Sequence, residues 1–250
     1  MSNMKVFRTL VKTESKLALR NMDSILFGIL FPMALALILG VIYGEKPAFE
    51  GAGYTFLQQS FGAVAAIGIC ATGLMGIPLS IADYRHRKIL KRFKVTPVSP
   101  GLLLFVQVAV QFAIALTSYL AVYLVLKLFF GYKMIGSTFY FLLSYLLVAI
   151  AIYGIGMLLA SISPNLKTAN LLCSLIYFPM LFLSGATVPY EIMPKALQGA
   201  SDIMPLTQGI KLLKGFSLGL DLNNLMFPII LLSVLAIISF LVSIKFFQWE

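Results

Sequence analysis

Six stretches of the chain run without a single Asp, Glu, Lys, Arg or His: Ser24 to Gly44, Gly51 to Ala82, Val95 to Leu126, Met134 to Leu166, Thr168 to Tyr190 and Leu222 to Ile244, of 21, 32, 32, 33, 23 and 23 residues. A helix needs about 20 mostly apolar residues to cross roughly 30 Å of hydrocarbon. Each run holds one span, and none comfortably holds two. The runs are continuously apolar instead of alternating every second residue, which selects helices over the strands of a barrel. The expected fold class is therefore an all-α membrane protein with six transmembrane helices, at about Ile25 to Tyr43, Phe61 to Ala82, Leu102 to Leu126, Phe139 to Ile162, Leu171 to Val188 and Leu225 to Ile244. Only 11% of the 250 residues are charged and 60% are hydrophobic. Soluble domains carry about 25% charge, so a water-soluble globule is excluded.

The first span is not read as a cleaved signal peptide, because 24 residues precede it and Gly40 to Gly44 reads GVIYG, with no small-residue cleavage site. The net charge of +10 has two readings, nucleic acid or membrane orientation. Position decides between them. Thirteen of the 19 Lys and Arg residues fall on one side: five before span one, six after span two (Arg85, Arg87, Lys88, Lys91, Arg92, Lys94), Lys167 and Lys245. This bias places both termini in the cytoplasm, and argues against nucleic-acid binding.

None of the nine acidic residues lies within a span, though Asp83 borders one. Proton-coupled carriers and ion pumps need ionisable groups at membrane depth, so an ion gradient offers no evident energy source. His86, the one histidine, sits among arginines and lysines, poor company for a metal ligand or general base. Cys70 and Cys173 both fall in spans and read as packing residues. No G-x-x-x-x-G-K-[ST] loop occurs. The chain is expected to be no enzyme, with no bound cofactor of its own, and to draw energy from a partner.

Residues 1–24 carry a helical pattern. Val6, Phe7, Leu10, Val11, Leu17 and Ala18 share one arc, and Lys5, Arg8, Lys12, Lys16 and Arg20 lie opposite, as in an interfacial helix on the cytoplasmic leaflet. Glu14 falls within the apolar arc and is expected to pair with a basic group on a neighbouring loop or partner. After span two, Ile89, Leu90 and Phe93 form a short apolar ridge flanked by cations, and Pro97 and Pro100 then disfavour further helix, giving a short amphipathic helix and a rigid elbow. Gly28, Pro32, Ala36 and Gly40, like Gly68, Thr72 and Gly76, are four-spaced small or kinking residues suited to close helix packing. Gln107 and Gln111, also four apart, fit either a polar groove or an interhelical hydrogen bond.

The string Asp83-x-Arg85-x-x-x-x-Leu90-Lys91-Arg92-x-x-Val95-Thr96-Pro97-Val98-Ser99-Pro100 resembles the ABC-2 type permeases, the membrane halves of bacterial ATP-driven exporters. Leu183-Ser184-Gly185-Ala186-Thr187-Val188-Pro189, with Met193-Pro194 and Pro205-Leu206-Thr207, is similar to a second family signature around the fifth span. His86 and Lys88-Ile89 depart from the acidic residue and Gly-Thr pair that members often carry, making this loop unusually basic.

The resemblance implies that residues 83–100 form a coupling loop against a separate cytoplasmic ATPase present in two copies, which holds the ATP and Mg. Ile89, Leu90 and Phe93 would be the apolar knob, with Asp83, Arg85, Arg87 and Arg92 around it and Pro97 and Pro100 as the elbow. It further implies a second permease copy or paralogue. Residues 189–224 would form an outer re-entrant region, with Gly185, Pro189, Pro194 and Pro205 at an outer gate. The domain boundaries are then 1–24 for the interfacial helix and 25–250 for the six-span domain. Since no span offers a fixed charge, the expected path is largely apolar, with Phe61, Gln107, Gln111, Phe178 and Phe182 along it, and the expected cargo is amphipathic or hydrophobic, such as a drug, antibiotic, peptide or lipid-linked molecule. The alternative function is a membrane protein not driven by ATP, such as a channel subunit or assembly factor.

Overall fold

The computed structural model describes residues 3–44, 46–49, 51–93, 100–187, 190, 193–220 and 225–246. Helix α1 (Asn3–Arg20) and a short turn lead into α2 (Leu26–Tyr43), followed by α3 (Phe56–His86), the short α4 (Ile89–Phe93), α5 (Gly101–Phe130), α6 (Thr138–Ile162) and α7 (Leu166–Leu183). Helices α8 (Lys195–Asp202) and α9 (Pro205–Leu218) precede α10 (Met226–Phe246). Among the described residues the β content is one isolated bridge, Pro47 to Thr55. Six helices, α2, α3, α5, α6, α7 and α10, are long and apolar enough to cross a membrane. The protein is a multi-pass, all-helical membrane protein.

The spans fall close to their expected places, with two informative shifts. At 31 and 30 residues, α3 and α5 run about 45 Å, longer than the apolar layer, so both project beyond it where the charged segments begin. The fifth span lies five residues earlier than expected. Asn165 accepts from the Thr168 backbone N–H at 2.9 Å and starts the helix there, while Gly185, with φ of 86°, sits just past its end, a conformation glycine adopts freely.

Two spans contain π-helical turns, Leu26–Leu30 and Thr72–Gly76. Each lies just before a proline, Pro32 or Pro78, whose missing N–H removes the bond that would close the preceding turn. In α3 the turn is reinforced by Thr72 Oγ1, which donates to the Gly68 carbonyl at 2.7 Å and shares a 2.8 Å bond with the Tyr153 hydroxyl on α6.

Small residues around these turns bring the backbones together. A methyl on Gly68 would stand 2.7 Å from Ser118 Oγ on α5, one on Gly73 would stand 2.6 Å from the Tyr153 ring, and one on Gly156 would overlap the Gly73 carbonyl oxygen. Gly28, Pro32, Ala36 and Gly40 are all buried along one face of α2. Helix α3 is thus the central post, with α2, α5 and α6 around it. At one end of the bundle Phe61, Tyr119, Tyr132, Phe141 and Tyr145 stack into a buried aromatic cluster, with Phe61 centred 4.7 Å from Tyr132 and 5.3 Å from Phe141.

At that same end α9 is inserted into the bundle. A methyl on Gly62 would come within 2.9 Å of the Lys214 backbone nitrogen, and one on Gly209 would come within 2.8 Å of Val148. Gly136, in the α5–α6 connection, abuts the Phe216 carbonyl. Val148 is ten residues into α6, roughly 15 Å along it, so α9 reaches that deep from the α5–α6 loop.

Candidate functional site

The opposite end of the bundle carries α1, α4, the end of α3 and the start of α5. Leu10, Val11 and Ala18 of α1 pack with Ile29 against Val106, Val110 and Ile114. The five basic residues of α1 are exposed on its other side. Glu14 shares the packed arc by helical spacing and is carried inward with it, to 5% exposure. Its Oε2 accepts from the Tyr84 hydroxyl at 2.6 Å and from Gln107 Nε2 at 2.6 Å. The expected basic partner of Glu14 is replaced by a tyrosine and an amide, because the arc it occupies faces α3 and α5 instead of the cationic loop. Burial pushes the Glu14 carboxyl above its ordinary value, and the bond from Tyr84 offsets this in part.

One carboxylate therefore joins α1, α3 and α5, at the head of a cavity of about 830 Å³. Its polar lining includes Ser24, Thr72, Gln107, Gln111 and Asn170, and its apolar lining includes Phe27, Met75 and Leu79. Both glutamines line the cavity. Gln107 also makes the interhelical hydrogen bond. Gln111 is 1% exposed, with Oε1 lacking a hydrogen-bond partner among the described residues and its amide pressed against the space a Gly76 Cβ would fill. Lys167 and Asn170 belong to this cavity and also to a shallow groove that continues along α7 past Leu171, Ser174, Leu175 and Phe178.

The remaining expected site residues distribute as follows. Asp83 and Arg87 form an ion pair at 2.9 Å and both line the cavity. Arg85 turns inward: 8% exposed, it donates from Nη1 to the carbonyls of Ala160 and Ser163 at the end of α6. Leu90 is 2% exposed and so packs within the chain, while Ile89 is half-buried and lines the cavity; neither forms a protruding knob. Between α3 and α4 the chain reverses at Lys88, whose φ is 55°. The side chains of Arg92, Phe93 and Pro100 and the whole of Pro97 lie outside the described residues, as does Pro189.

Phe61 belongs to the buried aromatic cluster, where its ring packs against rings of this same chain, so it does not line a path. Phe178 and Phe182 are exposed on α7. Gly185 is buried beside Tyr190, Pro194 leads into α8 and Pro205 sits in the first turn of α9.

Sequence reasoning missed Tyr84 and Thr72 as site residues. Tyr84 lies within a charged string, Asp83 to Lys88, whose composition is that of a loop. Its one signal was spacing: it lies one residue past Asp83, on the continuation of α3, which the charges made look like loop. A second cluster at the opposite end was equally unread. Asp202 accepts from Lys211 Nζ at 2.6 Å and from the Tyr190 hydroxyl at 3.0 Å, Lys211 lies 4.5 Å over the Tyr190 ring, and Gln208 donates to the Asp202 carbonyl at 2.7 Å.

Residues 5–216 match the family model described as ABC-2 type transporter. Among curated proteins, the chain is 34% identical to Nodulation protein J of Rhizobium leguminosarum bv. viciae over 115 residues, covering 44% of each. It is 30% identical over 113 residues to Nodulation protein J of Rhizobium meliloti (strain 1021), covering 45% of this chain and 43% of that one. It is also 28% identical over 155 residues to the Inner membrane transport permease YhhJ of Escherichia coli (strain K12), covering 61% of this chain and 41% of that one. The chain spans less than half the length of the curated relatives it matches.

Proposed function

The chain belongs to the ABC-2 type transporter family, and from that premise we propose that it is the permease subunit of an exporter, moving an amphipathic or hydrophobic substrate out of the cytoplasm with ATP hydrolysed on a separate subunit. Membrane transport with an ABC ATPase is the family's general character; the direction, cargo and coupling are the proposal. The observation that carries it is that Lys167 and Asn170 border both the Glu14 cavity and the groove along α7. This sets a polar-mouthed chamber beside an apolar helix face, as an amphiphile passing from the cytoplasmic side toward lipid requires.

The same chamber is bordered by the segment from Asp83 to Ile89 that would meet the ATPase. Closure of two ATPase subunits around ATP would push on α4 and the end of α3. Through Glu14 and Gln107 that displacement reaches α1 and α5, and through Arg85 it reaches α6. Tightly packed spans shift between discrete arrangements instead of deforming smoothly, so a small push is converted into a change of access. A second permease copy would complete the path at the exposed face of α7 that carries Phe178 and Phe182.

The test is co-purification of the chain with a P-loop ATPase, followed by reconstitution of the pair in liposomes. ATP-dependent movement of an amphiphile is expected, and it should be lost with hydrolysis retained when Ile89 and Phe93 are both replaced by Asp. Absence of any ATPase partner, or wild-type transport by the double variant, overturns the proposal.

A further inference from the structure

Glu14 is a carboxyl group buried without a counter-charge among the described residues. Both of its hydrogen bonds come from neutral groups, Tyr84 and Gln107, and both fall on Oε2. An amide nitrogen only donates, so Oε2 serves as the acceptor, and ionisation of the carboxyl places a negative charge there. Of the cations bordering the cavity, Arg87 is paired with Asp83, and Arg20 and Lys167 are exposed. A buried charge held by neutral donors alone leaves much of its desolvation cost uncompensated.

One helical turn along α5 from Gln107, roughly 6 Å away, Gln111 holds a second acceptor, Oε1, buried and without a partner among the described residues. A buried orphan oxygen costs free energy unless a ligand or water meets it. Two acceptors thus border one cavity, one of them a carboxyl that an approaching cation would favour in its ionised form, and the apolar side chains of Phe27, Met75 and Leu79 border it as well.

From this arrangement we infer that the cavity binds amphipathic molecules carrying a protonated amine, with the ammonium N–H groups directed to Glu14 and Gln111 and the apolar body against Phe27, Met75 and Leu79. An alkyl sulfate would meet the Glu14 charge with its own. A neutral alcohol satisfies at most one acceptor and leaves Glu14 without a counter-ion. A quaternary ammonium carries the charge but has no N–H for Gln111. The site therefore ranks ligands in the order primary ammonium, quaternary ammonium, alcohol, sulfate. As a statement about transported cargo it rests on the permease reading; as a statement about binding it stands without it.

The test uses the full chain in lipid nanodiscs without any ATPase. A dodecylamine bearing a photoactivatable diazirine is cross-linked, and the labelled peptides are mapped by mass spectrometry. Labels are expected in the segments that hold Phe27, Met75 and Leu79, competed by dodecylammonium, less by dodecyltrimethylammonium, and weakly by dodecanol or dodecyl sulfate.

Glu14→Gln keeps an acceptor for Tyr84 and Gln107 but removes the charge, and should weaken labelling by roughly thirtyfold, as loss of a buried charge partner does. Gln111→Leu removes an oxygen that has no partner among the described residues, so it leaves the fold intact and should weaken labelling about tenfold. If Glu14→Gln fails to fold, Gln111→Leu decides alone. Labelling elsewhere, equal competition by dodecanol, or unchanged labelling in a folded Glu14→Gln or Gln111→Leu variant overturns the inference. Labelling as expected in a chain that transports nothing with its ATPase would instead count against the transport reading alone.

Discussion

Arg85 on α3 donates from Nη1 to the carbonyl of Ala160 on α6 at 3.2 Å, and the same nitrogen also serves the Ser163 carbonyl. The last carbonyls of a helix have no partner within it and carry the negative end of its dipole, so a buried guanidinium there satisfies both. The bond ties the segment expected to meet the motor to α6.

Arg85→Ala should therefore lower stability by about 2 kcal/mol, the value of a charge-assisted hydrogen bond. Arg85→Lys should recover part of this, since an ammonium can reach one carbonyl but lacks the planar fork. Thermal unfolding in detergent, followed by fluorescence, reads the effect. An Ala variant melting with the wild type would remove Arg85 from the framework.

Gly156 and Gly73 touch backbone to backbone, and a methyl on Gly156 would overlap the Gly73 carbonyl oxygen. Neither side can yield by rotating a side chain. Gly156→Ala should thus cost about 3 kcal/mol, at the upper end for overpacking, and lower the yield of folded protein. Gly101→Ala, where a methyl meets open space, is the matched control and should be near neutral. Equal yields and melting temperatures for the two variants would show that α3 and α6 are not in contact at this depth.

Glu14 makes the docking of α1 depend on pH. Its carboxyl lies above the ordinary value of 4.5 because of burial, so the folded chain holds a proton that the unfolded chain releases. The stabilising contribution is complete below 4.5 and is lost as pH rises through the elevated folded value. The groups around it are Tyr84, Gln107 and, along the cavity, Asp83, Arg87, Arg20 and Lys167. Amide exchange in α1 should be slowest in mild acid and quicken with pH beyond the intrinsic chemical trend. Glu14→Gln should follow the intrinsic trend only; if it keeps the extra dependence, another group is responsible.

At the opposite end Asp202 shows the reverse sign. The bond from Lys211 draws its carboxyl below the ordinary 3.8. Stability from this cluster is present above 3.8 and lost as pH falls through the lower folded value. Both partners are well exposed, so the effect on global stability is small. Local order is the better readout: proteolysis between α8 and α9 should accelerate in Asp202→Asn at neutral pH, while the wild type resists. Equal cleavage rates would mean that the bonds from Lys211 and Tyr190 do not hold this corner.

The number of spans, their approximate ends and the amphipathic nature of α1 were legible because each depends on hydropathy and period alone, which are local properties of the chain. The same locality explains why Gly28, Gly68 and their neighbours could be read as packing residues: a small side chain in an apolar helix has few other uses. Direction was not legible. Whether Arg85 faces outward to a partner or inward to Ala160, whether Phe61 lines a path or fills an aromatic core, and whether Glu14 meets a base or a tyrosine all depend on how one helix is rotated against others. Helix spacing places Glu14 on an arc; only the packing of α1 against α5, with Tyr84 arriving from α3, tells what that arc touches. The same holds for the cavity, whose polar residues come from α1, α3, α5, α7 and the turn before α2 and acquire a common address only when these elements pack around α3.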